Sequence, residues 1–168
     1  MCTFLGAGTL IGPDDIQPAH ITNHKIAYLE GYLWDNQDAK MAMKKMVDIC
    51  KSDNQKIAFT LSDLFCVDRH RDSFKELIEN DVDILFANED EIKAQCESDS
   101  FEQAVEYAKS LNMTVAITRS GPIKVPAPKK VHMVLVPSSS TKIVQQPVEI
   151  SGEVNPRGNC KPSLTISF

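Results

Sequence analysis

Short apolar runs alternate with longer amphipathic segments along this chain. Each run is five or six residues long, which is typical of strands buried in a sheet. The runs occupy residues 25–29, 56–61, 82–86 and 114–118. The pattern therefore predicts four strands, and Val131–Val136 predicts one more.

The segment after the first run carries apolar residues at the spacing of a helix. Asp35 can cap a helix there by accepting hydrogen bonds from its first turn. Lysines lie largely off the apolar stripe, so the pattern predicts one buried face. The stripe consists of Ala39, Ala42, Met43, Met46, Val47 and Cys50.

Three further helices are predicted between the later strands. A polar loop over residues 62–71 precedes the first of them. Two pairs have capping-box spacing ahead of the last helix, Asp99 with Glu102 and Ser100 with Gln103. In chain order, the helices carry Phe74, Leu77 and Ile78, open over residues 89–96, and cover residues 101–111.

Alternating helices and apolar strands predict an α/β fold, a three-layer α-β-α arrangement around a mainly parallel sheet. We expect this domain to cover residues 1–144. The Ser-, Pro- and Gly-rich residues 145–168 predict a poorly ordered tail. Ligands of such sheets bind beyond the carboxyl ends of the strands. That rule selects the loops 30–34, 62–71, 88–91 and 118–121.

Composition excludes several classes of function. The net charge of −5 over 168 residues disfavours a nucleic-acid-binding protein, which would carry a basic face. No run of apolar residues is long enough for a membrane span, and the first ten residues lack the pattern of a signal peptide. The five cysteines are scattered without a Cys-x-x-Cys pair, so we expect reduced thiols and a cytoplasmic protein.

The acidic loop at residues 88–91 is the first candidate for chemistry. Asn88 can cap the following helix, and negative charge is favoured at a helix start. The sequence is therefore compatible with an ordinary capped helix. It is also compatible with a metal–phosphate site, because carboxylates hold Mg²⁺ and the metal holds phosphate oxygens. Asn88 and Glu91 are three residues apart and would face the same side.

Two other strand ends carry candidate polar groups. Thr118, Arg119 and Ser120 precede a glycine, a composition that suits phosphate contacts but also an ordinary turn. Glu30 ends the first strand and offers a carboxylate to a hydroxylated ligand.

A different enzyme class would use Cys66 as a nucleophile and His70 as its base. The two residues are four apart, but no glycine-rich nucleophile turn surrounds them.

Four blocks of the chain, taken together, resemble PfkB-type carbohydrate kinases. The most similar subgroup is the adenosine-kinase-like sugar kinases of the ribokinase superfamily. The resemblance covers roughly residues 2–144, and the order and spacing of the blocks make it specific. The blocks are YLEGYLWD (28–35), TLSDLFCVDRHR (60–71), DILFANEDE (83–91) and AITRS (116–120).

The resemblance implies a ribokinase-like partial domain and ATP-dependent phosphate transfer to a sugar or nucleoside hydroxyl, with Mg²⁺. Asn88 and Glu91 match the family's Asn-x-x-Glu motif, which is associated with Mg²⁺ and phosphate. Asn88, Thr118 and Ser120 would then line the ATP site. Glu30 falls where the family places a carboxylate near the substrate.

The chain also departs from the family pattern. We expect this chain to lack the N-terminal part that supplies most of the family's sugar site, and the family's Gly-Ala-Gly-Asp segment with the catalytic aspartate does not follow Val144. Val144 is followed by Gln-Gln-Pro-Val, and no aspartate occurs after it. We therefore expect a sequence truncated at both ends, no catalytic residue in this chain, and negligible kinase activity. The alternative is a non-catalytic nucleotide-binding or protein-interaction module, with a homodimer through an exposed sheet edge.

Overall fold

Helices and 3-10 turns flank the strands in the structure, which is a computed structural model. It describes residues 6–22, 24–120, 131–136, 144–148, 151–154 and 160–163. Side chains are described for residues 6–22 and 24–119. The 3-10 turns are Gly6–Leu10, Pro13–Asp15 and Gly31–Asp35. The α-helices are α1 (Pro18–Ile21), α2 (Gln37–Ser52), α3 (Leu64–Asn80), α4 (Glu89–Gln95) and α5 (Phe101–Ser110).

The main sheet has six strands whose spatial order equals their order along the chain. The first four strands are parallel, and the fifth and sixth are antiparallel to their neighbours. The strands are β1 (Ile26–Glu30), β2 (Lys56–Thr60), β3 (Ile84–Asn88), β4 (Thr114–Ser120), β5 (Val131–Val136) and β6 (Val144–Val148). The prediction of a mainly parallel α/β sheet is confirmed.

The core lies between the helices and one face of the parallel strands. Leu29, Phe59, Leu85 and Val115 are register partners across β1 to β4, and all four are buried. The predicted stripe of α2 packs into the same core. Aromatic rings reinforce it, since Phe59 and Phe74 meet edge to face at 5.0 Å.

The opposite face of the sheet is more open. Ile26, Tyr28 and Phe86 alternate with the core residues and are 49%, 54% and 38% exposed. None of them belongs to the core cluster. Of the three expected layers, the described residues therefore supply the sheet and one layer of helices.

Two predicted boundaries are wrong, both near the start of a helix. Asn36 caps α2 instead of Asp35, because its Oδ1 accepts hydrogen bonds from the backbone N–H groups of Asp38 and Ala39. The predicted polar loop over 62–71 is mostly helix, since α3 begins at Leu64. Within this segment Asp68 and Arg69 are exposed on the helix, and such polar residues give the sequence the composition of a loop.

The cap of α3 explains where this helix begins. Asp63 Oδ1 accepts a 2.7 Å hydrogen bond from the Cys66 N–H. The helix bends at His70, whose backbone has φ −125° and ψ 15°. At α5, Ser100 is the cap, which decides between the two predicted capping pairs.

The predicted tail contains further strand segments. Part of β6 lies in it, and Ser151–Val154 (β7) pairs with Cys160–Ser163 (β8) in a separate two-stranded sheet. The remaining residues of the tail lie outside the described residues, so the boundary at residue 144 stays a prediction. In the described part of the chain, no helix is both long and apolar enough to cross a membrane.

Candidate functional site at the carboxyl edge of the sheet

Parallel pairing brings the predicted site residues to one edge of the sheet. Asn88 and Thr118 are register partners in β3 and β4. Neighbouring strands are about 4.8 Å apart, so these two residues are adjacent. Glu30 pairs with Thr60, and Thr60 pairs with Phe86, so Glu30 lies two strands away from Asn88 and two residues short of it along the strand, at roughly 12 Å. Ser120 ends β4.

Asn88 and Glu91 are joined by three reciprocal hydrogen bonds. The backbone N–H of Glu91 donates to Asn88 Oδ1 at 2.8 Å. The backbone N–H of Asn88 donates to Glu91 Oε2 at 2.8 Å, and Asn88 Nδ2 donates to Glu91 Oε1 at 2.6 Å. This capping box fixes the first turn of α4. The prediction that Asn88 caps a helix is thus confirmed. The capping box also holds the side chains of Asn88 and Glu91 together.

Glu91 is an unusual carboxylate for a helix surface because only 6% of it is exposed. Burial raises its pKa, and the Asn88 N–H offsets part of that rise. The negative charges of Asp63 and Asp90 raise the pKa further. The site thus brings negative charge together at the ends of β2 and β3, where a cation would relieve the repulsion.

The donor chemistry fits a Mg²⁺ ion that is held mainly by phosphate. Mg²⁺ takes oxygen ligands, keeps several waters, and commonly uses only one or two protein carboxylates beside substrate phosphates. Glu91 offers one carboxylate, but both of its oxygens already accept hydrogen bonds from Asn88. Contact through a water molecule suits that geometry. The described residues contain no cluster of three or more metal-ligating side chains.

Arg119 does not stand free at the end of β4. Its Nε donates to Glu89 Oε2 at 2.6 Å, and its guanidinium lies 3.7 Å from the centre of the Phe101 ring. Alternation along the strand places Arg119 on the helical side with Ile117, whereas Thr118 lies on the other side. Thr118 and Arg119, both predicted as possible phosphate contacts, therefore lie on opposite faces of the sheet.

The Cys66–His70 alternative is contradicted by the structure. His70 Nε2 lies 2.7 Å from Asp35 Oδ1, and Arg69 donates two hydrogen bonds to the same carboxylate. Cys66 is buried, and desolvation together with the charge of Asp63 raises the pKa of its thiol to about 12. A thiol with that pKa stays protonated at neutral pH and is a poor nucleophile.

Sequence reasoning missed the contribution of residues 62 and 63. The Tyr32 N–H donates to Ser62 Oγ at 3.2 Å, which ties the turn after β1 to the end of β2. Ser62 has a φ of 71°, a backbone conformation that is uncommon for a residue with a side chain. Burial raises the pKa of both Tyr32 and Glu91, and the negative charge of Asp63 raises both further. The Ser-Asp pair after an apolar strand is a helix-cap signal that could have located this turn.

Arg71 ties the bend of α3 to the end of α4. Its Nε donates to the Ala94 carbonyl at 2.9 Å, and Gln95 donates to the Arg71 carbonyl at 3.3 Å. The role of the 62–71 segment is thus partly architectural. It orients α3 and α4, the two helices that begin at the candidate site.

No protein-family model matches this chain, and no curated protein matches it. Solved structures do match. An adenosine kinase from Sinorhizobium meliloti has 31% sequence identity and a TM-score of 0.70, over 86% of this chain and 41% of its own. A "probable sugar kinase protein" from Rhizobium etli CFN 42 has 28% identity and a TM-score of 0.69, over 85% of this chain and 40% of its own.

A Ribokinase II structure from E. coli in complex with ATP and Mg²⁺ shares the fold at 16% identity. Its TM-score is 0.66, over 88% of this chain and 45% of that chain. The parallel sheet, its helices and these likenesses define an α/β protein of the sugar- and nucleoside-kinase type. The chain belongs to the PfkB family of carbohydrate kinases, with a ribokinase-like fold. It spans about two-fifths of the length of the first two structures.

Proposed function

We propose that this chain forms the nucleotide side of a PfkB-type kinase, which transfers phosphate from ATP to a sugar or nucleoside hydroxyl. The observation that carries this proposal is the Asn88–Glu91 capping box beside Thr118 at the carboxyl edge. Two groups that suit phosphate and metal are thereby held rigidly where parallel α/β sheets bind ligands.

The proposed roles follow from position and chemistry. Asn88, Thr118 and Ser120 contact ATP, because they end the two neighbouring strands β3 and β4. Asn88 and Glu91 hold Mg²⁺ and phosphate, with Glu91 acting through water. The ATP and Mg²⁺ of the E. coli Ribokinase II structure support this assignment of ligands.

Glu30 is proposed to lie on the acceptor side. It ends β1, is exposed, and lies two strands from Asn88 and two residues short of it, at roughly 12 Å. A carboxylate there can accept a hydrogen bond from a sugar or ribose hydroxyl. The adenosine kinase from S. meliloti supports a nucleoside as one acceptor class.

We infer that the chain assayed by itself transfers little phosphate. Residues 145–168 contain no aspartate, so the catalytic base implied by the family resemblance has no counterpart after Val144. Phosphoryl transfer depends on positioning and on charge stabilisation at the reacting atoms. Binding of ATP–Mg²⁺ and transfer of its phosphate are therefore separate properties of this chain.

Calorimetric titration with ATP–Mg²⁺ tests the binding proposal. We expect the native chain to bind and Asn88→Ala to bind at least about tenfold more weakly, because the substitution removes a proposed ligand and releases Glu91. Asn36→Ala is the matched control, since it also removes an asparagine cap from a helix. Each variant should lose about 1 kcal/mol of stability. Equal affinity in all three proteins would refute the assignment of Asn88.

A second candidate function is a non-catalytic protein-interaction module. It is favoured by β1, which is an edge strand of the sheet among the described residues, and by the exposed apolar residues Ile26 and Tyr28 on that strand. Exposed edges and apolar patches are common sites of association. Under this proposal the chain forms a homodimer through the edge of β1.

A further inference from the structure

The contact between Arg119 and Glu89 joins the ends of β4 and β3, the two strands that carry the proposed nucleotide site. Arg119 Nε and Nη2 lie 2.6 and 3.4 Å from the two carboxylate oxygens of Glu89. Phe101, the first residue of α5, lies under the guanidinium with its ring centre 3.7 Å from Cζ. The three side chains connect the end of β4 to the starts of α4 and α5.

Each partner of this ion pair is the sequence neighbour of a proposed nucleotide ligand. Arg119 directly follows Thr118, and Glu89 directly follows Asn88. Thr118 and Asn88 are register partners at the ends of their strands. The ion pair therefore bridges β3 and β4 one residue beyond Asn88 and Thr118, where the ladder between these two strands ends.

Local chemistry makes Arg119 a poor candidate for a direct phosphate ligand. Two of its nitrogens bond Glu89, and its planar face is covered by Phe101. Its side chain lies on the helical side of the sheet, opposite to Thr118. Glu89 is also 3.7 Å from Lys93, so its charge is already balanced by two cations.

We propose that Arg119 is a positioning residue, which sets the separation of Thr118 and Asn88 through Glu89 and does not touch the nucleotide. This inference rests on the proposed function for its effect on binding. Arg119 fixes the geometry because a bidentate guanidinium–carboxylate contact defines both distance and orientation. A misplacement of about 1 Å can lower a catalytic rate on the order of 10²-fold, and we expect a smaller, roughly tenfold loss of ATP–Mg²⁺ affinity when this contact is loosened.

Hydrogen exchange and calorimetry on the same variants test the inference. The variants are Arg119→Gln, Arg119→Lys, and the charge-swapped pair Glu89→Arg with Arg119→Glu. Exchange of the backbone amides of Asn88 and Glu91 reports how well the capping box is held in the absence of nucleotide, because both amides donate hydrogen bonds within it. The control is Lys109→Gln, which breaks an ion pair of similar length with Glu106 on α5, away from the strand ends.

We expect Arg119→Gln to accelerate exchange at Asn88 and Glu91 and to weaken ATP–Mg²⁺ binding by roughly tenfold. The charge-swapped pair should recover both properties in part, and Arg119→Lys should fall between Arg119→Gln and the native chain. Lys109→Gln should change neither property. Rescue by the swapped pair separates positioning from direct contact, because glutamate at position 119 would repel a phosphate.

Two results would overturn the inference. One is unchanged exchange at Asn88 and Glu91 in Arg119→Gln. The other is a swapped pair that restores slow exchange but leaves nucleotide binding lost, which would make Arg119 a phosphate ligand. If the native chain binds no ATP–Mg²⁺, the proposed function fails. Faster exchange in Arg119→Gln with recovery in the swapped pair would then still establish the positioning role.

Discussion

Gly31 illustrates how a single residue fixes the turn that follows β1. A Cβ atom at this position would stand 2.8 Å from the backbone oxygen of Leu61 and 3.0 Å from the Phe74 ring. The backbone oxygen cannot move without shifting the end of β2. Glycine is required here because the ends of β1 and β2 approach closely. The hydrophobic pattern of the sequence does not predict that requirement.

The substitution Gly31→Ala should therefore destabilise the protein. Overpacking in a dense interior typically costs about 1–3 kcal/mol, and urea denaturation would measure the loss in free energy of unfolding. Gly8→Ala is the control, because a Cβ atom added there would meet no atom of the described residues within 4 Å. It should change stability by less than about 0.5 kcal/mol. Equal stability of Gly31→Ala and the native chain would contradict this packing argument.

The residue scale also shows where sequence reasoning succeeds. Asn88 was predictable as a helix cap because capping depends on side chains only three residues apart. The partnership of Arg119 with Glu89 spans 30 residues and was not predictable, since it depends on which strands become neighbours. The same limit applies to Asp35, whose partners on α3 are 34 and 35 residues away.

At the scale of elements, Asp35 connects the turn after β1 to the bend of α3. Burial alone would raise the pKa of Asp35, but hydrogen bonds from Arg69 and His70 outweigh it and lower the pKa below the ordinary value of 3.8. A carboxylate with a lowered pKa stabilises the folded state above its unfolded pKa. That contribution is lost as the pH falls through the lowered value.

We accordingly expect Asp35→Asn to be less stable than the native chain near pH 5, by up to about 1 kcal/mol because the pair is partly exposed. The difference should shrink as the pH falls below the ordinary value of 3.8, because protonation of the carboxylate removes the contribution of its lowered pKa. Urea denaturation at pH 5 and at a series of lower pH values measures it. Asp48→Asn controls for the loss of an exposed carboxylate on a helix. A difference that stays constant or grows in acid would argue against the ion-pair assignment.

The sequence predicted the starts of the parallel strands well, but not the start of α3. The four apolar runs predicted β1 to β4 within two residues at their starts, because burial of a parallel strand leaves a compact apolar signature. The first turns of α3 escaped prediction because residues 68–71 are all charged or polar. In the structure, Cys66 and Val67 beneath them supply the buried side.

At the scale of the whole molecule, the edge strand β1 governs the proposal of a homodimer. Ile26 and Tyr28 are about half exposed on this strand. Sedimentation velocity should detect a dimer of the native chain, and Tyr28→Lys should shift it towards monomer, because lysine on an edge strand opposes pairing with another chain. Met41→Lys is the control, an exposed apolar residue of α2. A native chain that stays monomeric at every concentration would exclude this association.

The agreement between chain order and strand order in the main sheet has a consequence for biosynthesis. Each β-α unit from β1 to β4 docks on the unit made just before it, so no parallel strand has to wait for a later segment to be inserted between existing neighbours. Register partners in neighbouring parallel strands are 26 to 30 residues apart, so each strand meets its partner once the next β-α unit has been made. A ribosome releases roughly 5–20 residues per second. The sheet can thus grow outward from β1 during translation, with its newest strand always serving as the template for the next.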